Sequence, residues 1–142
     1  MRIRHLLVGT ALCFLAIPNN AAKSYSCYTG PYIIFFEKDS AFVDSESRKI
    51  LDYGISAADN CHGHHPQIAG HTDTTEAVAL GQTRVDVVKQ YLMSRGFPSA
   101  DIVSENFGAS APRKEDVGQV EEPANRRVEL MFWHKRQSEP DI

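Results

Sequence analysis

Positive charge is scarce in this chain of 142 residues: 15 Lys and Arg stand against 18 Asp and Glu, a formal net charge of −3. An acidic chain without a basic stripe is poorly suited to nucleic acid or to an anionic membrane surface. Long apolar runs are absent beyond the first residues, so nothing after residue 22 reads as a membrane span. Catalytic signatures are missing too. There is no Gly-x-Ser-x-Gly elbow, no His-Glu-x-x-His helix and no phosphate loop, and Ser110 lacks the strand-to-helix setting of a nucleophile. These absences argue against an enzyme and for a binding module. No internal repeat is present, and the length suits one domain.

Residues 1–22 have the form of a secretory signal. Arg2, Arg4 and His5 are basic, Leu6 to Ile17 is apolar, and Asn20-Ala21-Ala22 offers small residues for cleavage. Removing them lowers the basic count from 15 to 13 against 18 acidic residues, net −5. The expected product is exported. Of three cysteines, Cys13 lies in the signal, which leaves Cys27 and Cys61. In an oxidising compartment that pair is a candidate disulfide closing a loop of about 34 residues, worth a few kcal/mol. The alternative is two buried thiols. The chain then divides into residues 23–30, irregular; 31–134, the folded domain; and 135–142, a charged tail expected to fray.

Within the domain, Pro31 to Phe36 is an apolar, β-branched and aromatic run suited to a central strand. Asp44 can cap a helix from Ser45 to about Asp59, with Ile50, Leu51, Gly54, Ile55 and Ala58 on its core face. Cys61 to Pro66 reads as a histidine-dense loop and Gln67 to Thr72 as a strand. Leu80 to about Arg95 has helical spacing, with Leu80, Val85, Val87, Val88, Tyr91 and Leu92 on one face; Gly96 serves as its C-cap, and Pro98 prevents continuation. Ile102 to Phe107 and Val128 to Trp133 supply two further strands. The segment from Gly108 to Asn125 is long for a loop, which implies a functional rim or a short helix within it. The expected fold is a two-layer α/β sandwich, β-α-β-α-β-β, with a mixed sheet and both helices on one face.

The stretch from Ile68 to Leu92 organises the rest. Asp73 falls where a strand ends. Arg84 sits four residues from both Leu80 and Val88, on the apolar side of its helix. A guanidinium there must meet an anion and hydrogen-bond acceptors, because an unpaired buried charge is costly. A strand-end carboxylate and a helix-borne arginine can converge on one cleft.

Taken with Phe35-Phe36-Glu37-Lys38-Asp39-Ser40-Ala41, Ile68-Ala69-Gly70-His71-Thr72-Asp73, Phe107-Gly108-Ala109-Ser110-Ala111-Pro112 and Asn125-Arg126-Arg127-Val128-Glu129-Leu130, in that order, the chain resembles an OmpA-like peptidoglycan-binding domain from about Ile34 to Phe132. The resemblance implies non-covalent binding of the peptide stem of peptidoglycan, centred on meso-diaminopimelate, without a cofactor. The free end of that ligand carries an ammonium and a carboxylate on one carbon. A site for it needs a fixed carboxylate and a fixed guanidinium a few ångströms apart. Asp73 matches the family residue that takes the ammonium, and Arg84 the one that takes the carboxylate. Asp39 corresponds to a polar pocket residue. Thr75 and Asn125 are candidates for further hydrogen bonds, and Arg127 for holding the cleft or the glycan.

This chain departs from the family pattern between those two charges. Asp73 and Arg84 are 11 residues apart, about four fewer than in the commonest form, roughly one helical turn. The family glycine three residues after the aspartate is Glu76, a Tyr-Asn pair before the helix is missing, and Gly81 stands where a serine cap is usual. Two alternatives follow: an OmpA-like interaction module that has lost ligand binding, or a metal-binding periplasmic protein using His62, His64, His65 and His71 beside Cys61. Their spacing matches no standard zinc pattern. The expected partners are peptidoglycan and an outer-membrane or other envelope protein.

Overall fold

The computed structural model describes residues 29–61, 63–115 and 119–134, apart from the side chains of His64 and His134. The proposed signal segment, Cys13, Cys27, His62 and the tail 135–142 lie outside the described residues. In chain order come β1 (Tyr32–Phe35), α1 (Ser45–Asn60), β2 (Gly63–His71), α2 (Ala79–Ser94), β3 (Val103–Gly108) and β4 (Arg127–His134). Single 3-10 turns occupy Ser99–Asp101 and Pro123–Asn125. The sheet runs β1-β4-β2-β3. β2 and β3 are parallel, as a crossover through α2 requires, and β4 is antiparallel to both β1 and β2. The mixed α/β sheet expected from the sequence is the one observed.

The core lies between the sheet and the two helices. Alternate strand residues (Tyr32 and Ile34, Ile68, then Val128, Leu130 and Phe132) meet Leu51 and Ala58 of α1 and Val85, Val88 and Leu92 of α2. Each such apolar side chain contributes roughly 1.5–3 kcal/mol on burial. Asp44 caps α1 as expected, its Oδ1 accepting from the Ser47 amide at 2.7 Å. α2 ends in a Schellman motif: the amide of Phe97 donates to the Leu92 carbonyl and that of Gly96 to Met93, with Gly96 at φ 99°. The first turn of α2 lies almost on the sheet. A methyl group on Gly70 would fall 2.5 Å from the Gly81 carbonyl, and one on Gly81 would fall 2.2 Å from Oδ1 of Asn106. This close approach sets Arg84, one turn further on, directly above the end of β2.

Three local expectations need correction. β1 is an edge strand, not a central one: β4 returns between it and β2. Its apolar run is continuous because Tyr32 and Ile34 face the helices while Phe35 lies on the opposite face, 49% exposed. The expected loop before Gln67 is mostly strand, since β2 begins at Gly63 and pairs with β4 there. Pro66 is tolerated because β3 joins only from Gln67 onward, leaving β2 a neighbour on one side at that point. Gly81 lies inside the first turn of α2, and Val78 holds the N-cap position without a side-chain cap bond.

Candidate functional site

β2 delivers the site at its C-terminal end. After His71 the Thr72 amide donates to the Gly108 carbonyl, which fixes the exit direction of the chain. Asp73 then turns it: its Oδ1 accepts from both the amide and the hydroxyl of Thr75, each at 2.8 Å. This local carboxylate-to-backbone turn carries Glu76 inward over the sheet edge.

Arg84 rises from the first turns of α2 to meet it. The guanidinium is 0% exposed, and its five N–H groups all have acceptors. Nε donates to the Ser40 carbonyl at 2.8 Å. Nη1 donates to the His71 carbonyl and to Oε2 of Glu76 at 2.9 Å, and Nη2 to the Glu37 carbonyl and to Oε1 of Glu76 at 2.6 Å. Its Cζ also lies over the Phe36 ring, 5.0 Å from the centroid. The anion required by a buried arginine is therefore Glu76, bound through a two-point fork. The same carboxylate accepts two backbone amides, from Asp39 at 2.9 Å and from Asp73 at 3.3 Å. Asp39 reaches this position with φ 53°.

Asp73 is itself 1% exposed. Beyond the Thr75 bonds, its Oδ2 accepts from Nη1 of Arg126 at 3.1 Å and from the Glu122 amide. Burial pushes the Asp73 carboxyl up, but the donors from Thr75, Arg126 and Glu122 outweigh it and hold the group below the usual carboxylate range. Arg126 is tied down by its Nε bond to the Phe36 carbonyl. The result is two buried ion pairs, Glu76–Arg84 and Asp73–Arg126, coupled through the Asp73 amide.

Of the residues marked from sequence, Asp39, Asp73, Thr75 and Arg84 converge here, Asp39 through its backbone. Asn125 and Arg127 are engaged elsewhere. Asn125 organises the loop before β4, accepting from the amides of Arg113 and Lys114 and donating to the Lys114 carbonyl. Arg127 lies on the sheet face away from the helices, paired with Glu129 at 2.7 Å and donating to the Ala111 carbonyl. Glu76 and Arg126 complete the network. Arg126 was findable as the first basic residue of the Asn-Arg-Arg motif. Glu76 carried a signal as well, a carboxylate in place of a family glycine.

A groove of about 590 Å³ lies beside the network, its lining including the polar Glu37, Ser40 and Arg126 and the apolar Phe35, Phe42 and Ile50. His71 is buried beneath the site, its ring stacked on Phe107 at 5.5 Å. Burial, and then the Arg127 guanidinium, push its pKa below the ordinary histidine value. Of the other histidines proposed as ligands, His62 and the side chain of His64 lie outside the described residues. Among the described residues no group of three His, Cys, Asp or Glu side chains is arranged to hold a metal.

An α/β module with a buried carboxylate-arginine network at the end of its parallel strand pair is what this geometry defines. The OmpA family profile matches residues 35–126, and the chain belongs to that family. It is 33% identical over 101 residues to a peptidoglycan-associated lipoprotein of Pseudomonas aeruginosa, covering 68% of this chain and 59% of that protein. It is 26% identical over 111 residues to an outer membrane protein of Gluconacetobacter diazotrophicus, covering 71% of this chain and 29% of the relative. The chain thus spans less than two thirds of the length of either relative. Among solved structures, the peptidoglycan-associated lipoprotein of Burkholderia pseudomallei superposes with a TM-score of 0.60 at 25% identity, over 71% of this chain and 89% of the other. The cell wall anchor of the T6SS from Pseudomonas aeruginosa gives 0.61 at 21% identity, over 72% and 80%, a likeness of fold.

Proposed function

We propose that this chain binds peptidoglycan without chemistry, through the diaminopimelate of the stem peptide, and so tethers an envelope component to the cell wall. The observation that carries this reading is the carboxylate receptor at Arg84. A guanidinium fork and the amides of Asp39 and Asp73 converge on one carboxylate position, with the anionic Asp73 in the same turn. A cationic receptor and a fixed anion side by side are what an amino-acid head group requires. In this reading Asp73 and Thr75 receive the ammonium, Arg84 receives the carboxylate, and the stem lies in the adjoining groove. Asn125 and Arg127 shape the rim. Membership of the OmpA family and the likeness to peptidoglycan-associated lipoproteins support the same reading. The chain would act in the periplasm after removal of residues 1–22, with Cys27 and Cys61 bridged and a second face on an envelope protein.

Sedimentation with isolated cell wall tests this, using wild type, Asp73→Ala and Arg84→Ala with folding checked by circular dichroism. Wild type is expected in the pellet and folded Asp73→Ala in the supernatant. Equal retention of both rules the site out. One observation favours a second reading, an interaction module without a small ligand: every donor of Arg84 already has an acceptor within the protein. Under that reading wild type itself stays in the supernatant.

A further inference from the structure

We infer that Glu76 is a resident plug, an internal carboxylate seated where an external one would bind, and that the site admits an α-carboxylate only when Glu76 leaves. The inference rests on the proposed reading of the Arg84 position as a ligand receptor, and deepens it. Four donors from three separate elements meet the Glu76 carboxylate: the two arms of Arg84 on α2, the Asp39 amide after β1, and the Asp73 amide after β2. The Glu76 side chain is 0% exposed. Three of these donors are not local to Glu76 in the turn, so the receptor is assembled by the fold while its occupant comes from an exposed connection. Thr74, Ala77 and Val78 around Glu76 are all exposed, and α2 begins without a side-chain cap. None of these residues belongs to the apolar core, so an outward swing of Glu76 breaks its own four bonds and strains the Asn106 Nδ2–Val78 carbonyl bond but leaves the core packing in place. The geometry of the four bonds is that of a free carboxylate in a two-point clamp, so the competing ligand is the α-carboxylate of an amino acid or peptide end.

The test uses acetate and meso-diaminopimelate as probes on the full chain. Glu76→Gln keeps the shape but gives up the charge-assisted fork, so displacement costs less, and its affinity for diaminopimelate is expected to exceed that of wild type by about tenfold or more. Glu76→Ala empties the receptor. Its melting temperature is expected to fall, and then to recover as acetate or diaminopimelate is added, while wild type stays unmoved by acetate. Removing the receptor as well, in Glu76→Ala/Arg84→Met, abolishes that response. Equal or weaker affinity of Glu76→Gln relative to wild type overturns the inference, and does so even if Glu76→Ala does not fold. A folded Glu76→Ala that ignores both carboxylates overturns it equally. The two readings separate cleanly. Wall binding that is lost with Asp73→Ala but unchanged by Glu76→Gln leaves the functional reading standing and removes the plug. Carboxylate gain in the Glu76 variants, with no variant retained by cell wall, keeps the plug and removes the wall.

Discussion

The two faces of the sheet differ in how far water reaches their aromatic groups and the carboxylates of their ion pairs. At the end of β2, on the helix side, Arg84, Glu76, Asp73 and Arg126 are buried, and each carboxylate accepts several donors. On the other face, Phe35, Val103, Phe107 and Trp133 are all more than 40% exposed, and Arg127, itself buried, pairs with a Glu129 that is 28% exposed, so water reaches that pair from its carboxylate side. The comparison teaches that ion pairing alone says little. What matters is whether water can replace the partner once it is removed.

The largest effect is expected where water is excluded. Arg84→Met leaves the Glu76 carboxylate either buried without its guanidinium or expelled with loss of the turn that seats it, and should lower stability by about 3–5 kcal/mol. Replacing both, in Glu76→Leu/Arg84→Met, should restore most of that loss, because apolar residues of similar volume tolerate burial. Denaturant titrations of the two variants check this, and a double variant no better than the single one breaks the contrast between the faces. Next comes Asp73→Asn, which keeps the shape of the turn but weakens the bonds from Arg126 and Thr75. It should lower stability by about 1–3 kcal/mol in the same titration.

Acidity sharpens the comparison further. The His71 pKa is depressed in the fold, so the unfolded chain gains its proton first as pH falls. The His71 contribution to stability is then complete above about pH 6.5 and is lost on going downward from there toward the lower folded value. The Asp73 carboxyl is also depressed, and its contribution is present above about pH 3.9 and lost as pH falls through its folded value. Melting temperatures at pH 7.5 and 5 should therefore drop less for His71→Phe than for wild type, with Asp73 silent in that window. An identical drop in both proteins removes His71 as the cause. The smallest effect belongs to the exposed pair Glu46–Lys49 on α1. Lys49→Ala should leave the denaturant midpoint unchanged within the scatter of the titration, and a clear shift would show that exposure does not govern these pairs.

The helices and strands were legible because their apolar periods are strong: Asp44 marks one helix start, Gly96 one helix end, and Val128 to Phe132 alternates cleanly. The inward turn of Arg84 was legible too, since its spacing from Leu80 and Val88 leaves it no other side. Its partner was not. Nothing in local spacing says that the Glu76 carboxylate, rather than that of Asp73, reaches the guanidinium, because that depends on how the turn after β2 folds over the sheet edge. The edge position of β1 was hidden for a related reason. An exposed Phe35 makes the run look buried on both faces, and only the return of β4 reveals that one face is open.

Chemical-shift mapping of a diaminopimelate-containing stem tripeptide on isotope-labelled protein tests the central claim most directly. The account predicts perturbations concentrated at the amides of Asp39, Asp73 and Thr75 and at the Arg84 Nε–H. Perturbations gathered instead on Phe35, Phe107 and the Trp133 indole, or none at any ligand concentration, would contradict it.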